Sequence, residues 1–585
     1  MKITARIDNF LENKHFLLSD PIEIITANSL VEVPGAIQAV ENSMKNGGNI
    51  ALGYVSYEAA GAIDNDQITL ESNISMPLLW FCIFKTQLQD TGPNLQPMKN
   101  QELDWKHEWD KSSYMAKVLG IQDLIREGFT YQVNLTSRLH SRFIGDPFEL
   151  YSAMLSSQTG SHSFYIESDD WAVICASPEL FFKAENGLIK CKPMKGTRSR
   201  GRYSLEDLSL RDELINSEKD RAENLMIVDL IRNDLGKVSE FGTVEVESAF
   251  DIEQYPTLWQ MTSTVKGQLR ANTDLLDIFK ALFPCGSVTG VPKVSTMEII
   301  TRFEDSPRGI YCGAIGWIRY KNSQLCADFG VAIRCATLDK NTRTLSYGAG
   351  GGITSGSEPE SEWEELLAKT SILTGRKVPD GLLETMYFSP QTGIKNLERH
   401  LKRMQASAKY FGFDFDLTTV RENLRETSSS VKNFSRLRLI LRASSEVNIE
   451  YLDFDEIDRT QVTLALCPKR VNAENVFLFH KVADRSYYRD MRDRIKGVYD
   501  VILANERDEI TETTTANLAL KFEGKWWTPA ISSGLLPGIE REVLLESGEL
   551  DERVIKVDEL SEAQEIAVMN SLRGFIPAKF ISNPI

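Results

Sequence analysis

A lysine can do covalent chemistry only as a free amine, so its neighbours decide whether it is reactive. The stretch CKPMKGTRSRG sets Lys195 between Pro193 and Gly196, two residues that punctuate a chain, with basic residues following. Alone, such a lysine reads as a solvated strand end. Its candidate partners are carboxylates. Glu179 falls in the neighbouring strand of a predicted hairpin, Glu223 lies on a predicted helix after DRA, and Glu362, Glu364 and Glu365 crowd a second helix. Glu362 and Glu365 are three apart and share a helical face. Carboxylates from two helices suit a hard cation such as Mg2+, which keeps part of its water shell and bridges to an anionic ligand. An acidic helix face standing alone is only a solvated face.

Two glycine-rich segments accompany these residues. GSVTGVPK lacks the spacing of a P-loop, and GAGGGI lacks that of a dinucleotide fingerprint. Neither reads as a nucleotide site. Both could offer bare backbone N–H groups to a carboxylate, and each could equally be a set of kinks and tight turns.

The elements that must position these groups are legible in outline. DWAVICASPELFFKAENGLIKCKPM alternates as a hairpin turning at AENG, and SEKDRAENLMIVDLIRNDLGKV reads as a helix, acidic at its start. RGIYCGAIGWIRY, QLCADFGVAIRCATLD and TLSYGAGGGI are strand-like, and SEWEELLAKTSIL has helical spacing at Trp363, Leu366, Leu367 and Thr370. The pattern breaks at TGRKVPDGLLETM, placing a domain boundary near residues 376–381. Beyond it NLERHLKRMQASAKYFGF is a helix stopped by Gly412, with strands at VILANE and NLALKFEGKWWTP. Long antiparallel stretches with helices make the first part α+β.

Composition bounds the function. A chain of 585 residues should form two or three domains. Its net charge of −17 argues against a nucleic-acid partner, while local positive sites could still take a small anion. The N-terminus lacks an apolar leader region, and PLLWFCIF is too short to span a bilayer, so no membrane partner is expected. Eight cysteines without a C-x-x-C pair indicate neither zinc nor disulfides, and a cytoplasmic, reducing compartment.

The ordered motifs YQVNLT, SPELFF, KPMKGTR, DRAENLMIVDLIRNDLG, FPCGSVTGVPK, YCGAIGW, AIRCA and GAGGGI followed by ESEWEE make about 110–375 resemble the chorismate-utilising enzymes. Anthranilate synthase, isochorismate synthase and aminodeoxychorismate synthase component I belong to that group. VSYEAAG and MPLLWF extend the resemblance towards the N-terminus, giving a domain over 1–375 with large antiparallel sheets and flanking helices. The resemblance implies that Glu223 and Glu365 hold Mg2+ against a chorismate carboxylate, with Glu362 nearby as a further ligand. It also implies that Arg334, Tyr311, Thr289 and the backbone of Gly350, Gly351 and Gly352 fix the substrate.

Position 195 then separates the subclasses. Anthranilate and isochorismate synthases resemble the segment but carry alanine there; the lysine-bearing aminodeoxychorismate synthases use that lysine as a nucleophile at C2 of the ring. Glu179 is the implied proton donor and acceptor. Anthranilate synthase also has histidine where Gln260 stands, so this domain is expected to stop at 4-amino-4-deoxychorismate. No cysteine sits in a glutaminase-like elbow, so ammonia is expected from a separate glutamine amidotransferase subunit, or from ammonium at high concentration.

LLETM, NLERHLKRM, FHKVADRSYY, EITETTTANLAL, GLLPGIER and NSLRG make about 380–585 resemble the fold-type IV pyridoxal-phosphate enzymes, a smaller α/β domain. The resemblance implies Lys481 as the Schiff-base lysine and Glu512 as partner of the pyridine nitrogen. Arg403, Ser571 and the backbone at Ile539 and Glu540 would hold the phosphate, and a homodimer would form through this domain. The two parts together imply synthesis of 4-aminobenzoate for folate. The competing reading is an anthranilate synthase component I-like activity with a non-catalytic C-terminal interaction module.

Overall fold

The computed structural model describes all residues except 1–2, 11, 19–20, 46–49, 73–75, 86–88, 91, 93–102, 159, 323, 371–372, 374–377, 454–460 and 583–585. Positions 376 and 377, where the predicted boundary begins, lie outside the described residues. The chain forms two compact units: Met1–Arg200 with Leu210–Arg376, and Gly201–Ser209 with Lys377–Ile585.

The first unit is built on two sheets of ten strands each, antiparallel throughout their ladders. Apolar residues such as Ala5, Ile7, Leu52, Tyr54, Trp80, Phe164 and Val173 come from both sheets and pack together as one buried core. On one outer face, helices Val33–Lys45, Glu218–Gly236 and Leu275–Leu282 cover the second sheet. On the other, Lys111–Arg126, Pro147–Ser157, Lys293–Phe303 and Pro359–Thr370 cover the first. The result is four layers, helices outside two stacked sheets.

Two crossings between the sheets matter most. The predicted hairpin is real over Leu180–Glu185 and Leu188–Lys192, turning at Asn186 and Gly187. Its first arm, however, is broken: Trp171–Ser177 belongs to the first sheet and Leu180–Glu185 to the second. Glu179 therefore sits in the link between sheets, not within a strand. The segment read as one strand through AIRCA divides likewise, with Gln324–Val331 in the second sheet and Cys335–Asp339 in the first. Arg334 occupies that link at φ +50°, a strained conformation for a non-glycine residue. The two links are bonded to the strands of each other's crossing: Val331 N–H donates to Glu179 C=O at 3.0 Å and Ala176 N–H to Arg334 C=O at 3.0 Å.

In the second unit a four-stranded antiparallel sheet centres on Gly381–Ser389 and Ser435–Arg442. It accompanies a mixed sheet of eight strands, six of which close on themselves through the pairing of Glu512 with Asn517. Helix Leu397–Phe411 ends on Gly412 at φ +78°, the left-handed stop read from the sequence.

One ion pair bolts the first unit's interior. Arg308 donates Nε to Glu304 at 2.9 Å and Nη2 at 2.6 Å, and its remaining donors reach Val288 C=O and Asn134 C=O. Glu304 also accepts from the Thr136 backbone and hydroxyl. Both side chains are almost wholly buried. Removing Arg308 leaves Glu304 buried with, among the described residues, only the longer Arg138 ion pair at 3.7 Å, so Arg308→Met should cost ~3 kcal/mol, read as an earlier first-unit transition in chemical denaturation.

Candidate functional sites

The first site is a cavity of about 230 Å³ whose walls come from both sheets and from helices Glu218–Gly236 and Pro359–Thr370. Lys195, Glu179, Glu223, Glu362, Glu365, Tyr311, Arg334 and Gly350–Gly352 all line it. Thr289 does not. It is fully buried, with its hydroxyl directed at the Cys285 and Gly286 carbonyls, and Ser287 and Val288 are the residues of that segment facing the cavity.

Lys195 points at the glycine strand. A Cβ on Gly352 would stand 2.5 Å from Lys195 Nζ and 2.6 Å from Gln132 Nε2, so only glycine leaves room for both. Tyr311 packs flat against Gly348, where a Cβ would meet the ring at 2.3 Å. Burial lowers the pKa of Lys195, and the Lys369 cation adds to that, against the pull of Glu223, Glu179 and Glu365. Glu179 is 2% exposed, and burial raises its carboxyl to about 7. An amine pushed towards its neutral form and a carboxylic acid kept protonated near neutral pH thus share one cavity.

Lys369 was not singled out in the sequence, although its place four residues after Glu365 on one helix was a usable signal. It pairs with Glu365 at 2.6 Å and donates to Gly350 C=O at 2.7 Å. Its own carbonyl accepts from Arg334 Nη1 at 2.6 Å and Tyr347 OH at 3.0 Å. Gln132 was quoted only within YQVNLT; it is fully buried with neither amide atom hydrogen-bonded. Gln260 holds the lysine's own segment, donating to Gly196 C=O at 2.8 Å and accepting from Thr197 Oγ1 at 3.0 Å.

The acidic residues fit a hard cation that takes part of its shell from substrate and water. Burial raises Glu223 and Glu362, and the nearby Glu365 charge raises both further, while Lys369 lowers Glu365. Among the described residues no three acidic, histidine or cysteine side chains form a ready-made cage.

The second site is a cavity of about 310 Å³ lined by Lys481, Glu512, Arg403, Ile539 and Ser571, among others. Burial and the Arg403 cation lower Lys481 to about 8; burial raises Glu512 to about 7. Arg403 is fixed by Glu384 through Nε at 2.8 Å and Nη2 at 2.7 Å, and donates Nη1 to Pro537 C=O at 2.9 Å. Burial pushes Glu384 up, yet Arg403 and His400 outweigh it and hold the carboxyl at about 2. His400 links Glu384 at 2.6 Å to Ser571 at 2.8 Å. Helix Ile539–Glu546 opens beside them at Gly538. Guanidinium, hydroxyl and helix N-terminus make a donor set that fits a phosphate, with a buried acid and a softened lysine alongside. The Glu540 side chain turns away to Lys395 at 3.0 Å, leaving its backbone.

With this geometry in place, comparison with known proteins becomes informative. The chorismate binding enzyme family matches residues 11–375, more than half of the chain. The chain belongs to that family. Residues 381–581 match the amino-transferase class IV family. An anthranilate synthase component 1 from Aquifex aeolicus is 38% identical over 290 residues, 49% of this chain and 58% of that protein. An aminodeoxychorismate synthase component 1 from Bacillus subtilis is 32% identical over 356 residues, 54% of this chain and 75% of that protein. Thus the chain spans little more than half the length of the Aquifex relative. The crystal structure of anthranilate synthase component I from Streptococcus pneumoniae has a TM-score of 0.52 at 22% identity, over 64% of this chain and 92% of that one, a likeness of fold. Relatives named for two chemistries match alike, so overall similarity does not choose between them.

Lys195 should titrate below surface lysines. Competitive acylation, resolved by peptide mass spectrometry across pH, should give Lys195 a labelling midpoint below the ordinary lysine value of about 10.4, and Lys369→Met should move that midpoint upward. Co-titration with the surface lysines would contradict the electrostatics described.

Proposed function

We propose that the first unit converts chorismate and ammonia to 4-amino-4-deoxychorismate, and that the second removes pyruvate to leave 4-aminobenzoate. The observation that carries the first half is Lys195, an amine aimed into the cavity with a protonatable Glu179 beside it. Nζ bonds to ring C2 while the diene electrons shift and the C4–O bond breaks; Glu179 gives the proton with which the hydroxyl leaves as water. Ammonia bonds to C4, the electrons shift back, and the C2–Nζ bond breaks. The proton shed by ammonia restores Glu179, so chorismate and ammonia become the amine and water. Glu223 and Glu365, with Glu362 nearby as a further ligand, would hold Mg2+, which would supply charge against a substrate carboxylate. Arg334, Tyr311 and the glycine backbone orient the ring.

Ammonia would come from a separate amidotransferase subunit. All eight cysteines are buried, which suits no hydrolytic thiol of this chain. No helix among the described residues is long and apolar enough to cross a membrane.

In the second unit, bound pyridoxal phosphate would supply an electron sink. Arg403, Ser571 and the backbone of Ile539 and Glu540 would hold its phosphate, and Glu512 would face its ring nitrogen. Lys481 takes the proton from the amine-bearing carbon of the substrate; those electrons form the C3–C4 double bond of the aromatic ring as the C3–O bond breaks, and the departing enolpyruvate takes up a proton to become pyruvate. Anthranilate formation is disfavoured by Gln260, whose amide is spent on holding residues 196 and 197. An inert second unit is disfavoured by the convergence of Lys481, Glu512 and Arg403 in one cavity.

The test is product identification after incubation with chorismate, Mg2+, ammonium and pyridoxal phosphate. 4-Aminobenzoate is expected; anthranilate would overturn the proposal. Lys195→Ala should cut amination at least ~100-fold with chorismate binding largely kept. Because Glu179 must be protonated to act, amination should decline as pH rises through about 7. Glu179→Gln should lower the rate ~100-fold or more and abolish that decline, measured by a pH–rate profile.

A further inference from the structure

The second cavity holds more positive charge than a phosphate group needs. Arg403, Arg436, Lys481, Arg485 and Arg573 all line it, whereas Glu512 is the acidic residue among its lining side chains. This concentration occurs in a chain of net charge −17. Arg403 is committed to Glu384 and the Pro537 carbonyl.

Arg436 and Arg485 are not committed in this way. Arg436 lies on Ser435–Arg442 opposite Tyr387 of the strand Gly381–Ser389. Side chains directly opposite and two residues apart share a sheet face. Arg436 therefore projects on the face of Leu383 and Thr385, which line the same cavity. Its Nε is buried and has no hydrogen-bond partner. Arg485 follows Lys481 by one helical turn's spacing. It stacks on Tyr488 at 3.8 Å and donates one Nη2 hydrogen bond to Thr514 C=O at 2.7 Å. Tyr488 in turn donates to Glu512 at 2.9 Å, so the guanidinium is held rigidly beside the acid without an ion pair to it. A half-buried guanidinium with donors unspent is costly unless an anion completes it.

We propose that Arg436 and Arg485 form a carboxylate clamp that sets the substrate class of the second cavity: a primary amine bearing two carboxylates. The clamp rests on the reading of this cavity as a pyridoxal-phosphate site. The phosphate cup takes Arg403, Ser571 and the helix N-terminus; the clamp takes the substrate's two anionic ends. Lys481 lies in the same cavity, where the amine must arrive.

The experiment uses the whole cofactor-loaded protein and reads the visible absorbance of the bound cofactor, which reports this cavity alone. Isophthalate, a ring dianion, should perturb that absorbance and bind about 10- to 100-fold more tightly than benzoate. Arg436→Gln and Arg485→Gln should each weaken isophthalate by about 10-fold or more while thermal stability and cofactor content hold. Arg436→Met repeats the first test with the stem's packing preserved. Equal binding of isophthalate and benzoate, or wild-type isophthalate affinity in stable, loaded variants, would overturn the clamp. The two proposals fail separately. Arginine-dependent isophthalate binding without pyruvate release from 4-amino-4-deoxychorismate would end the lyase reading and leave the clamp. Pyruvate release with unchanged KM in the glutamine variants would do the reverse.

Discussion

The first cavity is organised around one amine buried among carboxylates, Lys195. Left to themselves, Glu179, Glu223 and Glu365 would hold Lys195 as an ammonium. Two arrangements oppose this. Burial penalises the charged form, and Lys369 brings a second cation onto Glu365 while anchoring itself on the Gly350 carbonyl. The pair engages one carboxylate, while Glu223 remains the charge that acts most strongly on Lys195.

The fold supplies the rigidity this balance needs. Glu179 and Arg334 stand on links where the chain passes between the two sheets, and backbone hydrogen bonds tie each link to the other crossing. Both links face the cavity, beside strand residues such as Lys195 and Gly350–Gly352. The Glu304–Arg308 pair fixes the wall from behind, because Arg308 bonds the carbonyls of Asn134 and Val288, both cavity residues. Gln260 does the same for the segment after Lys195. The cavity walls are thus held by bonds made within the protein, which is how a site keeps its geometry before binding.

Much of this was legible in the sequence, and the failures have physical causes. The Gly412 helix stop, the acidic helix 218–236 and the turn at Asn186–Gly187 followed from local chemistry. The breaks at 177–180 and 331–335 did not; at the first, Trp171–Ser177 is buried on both faces and gives no period to mark its end. Leu367 fits the helical spacing of its segment yet is exposed, on a side of the helix away from the cavity residues Glu362, Glu365 and Lys369. Glu384 and His400 were missed because they meet only on folding, whereas Lys369 carried a local signal in its spacing from Glu365. Thr289 shows the converse, a residue implied by resemblance whose hydroxyl is used by its own turn.

The second unit repeats the same physics with other parts. Lys481 is softened by burial and the Arg403 cation, and Glu512 is raised by burial, as Lys195 and Glu179 are in the first. The central claim remains that Lys195 becomes covalently bonded to substrate, and mass spectrometry tests it most directly. Acid-quenched protein, incubated with chorismate and Mg2+ without ammonium, should carry a substrate-derived mass increase on the peptide containing Lys195. Turnover on adding ammonium, with no adduct at Lys195 under any quench, would contradict the account.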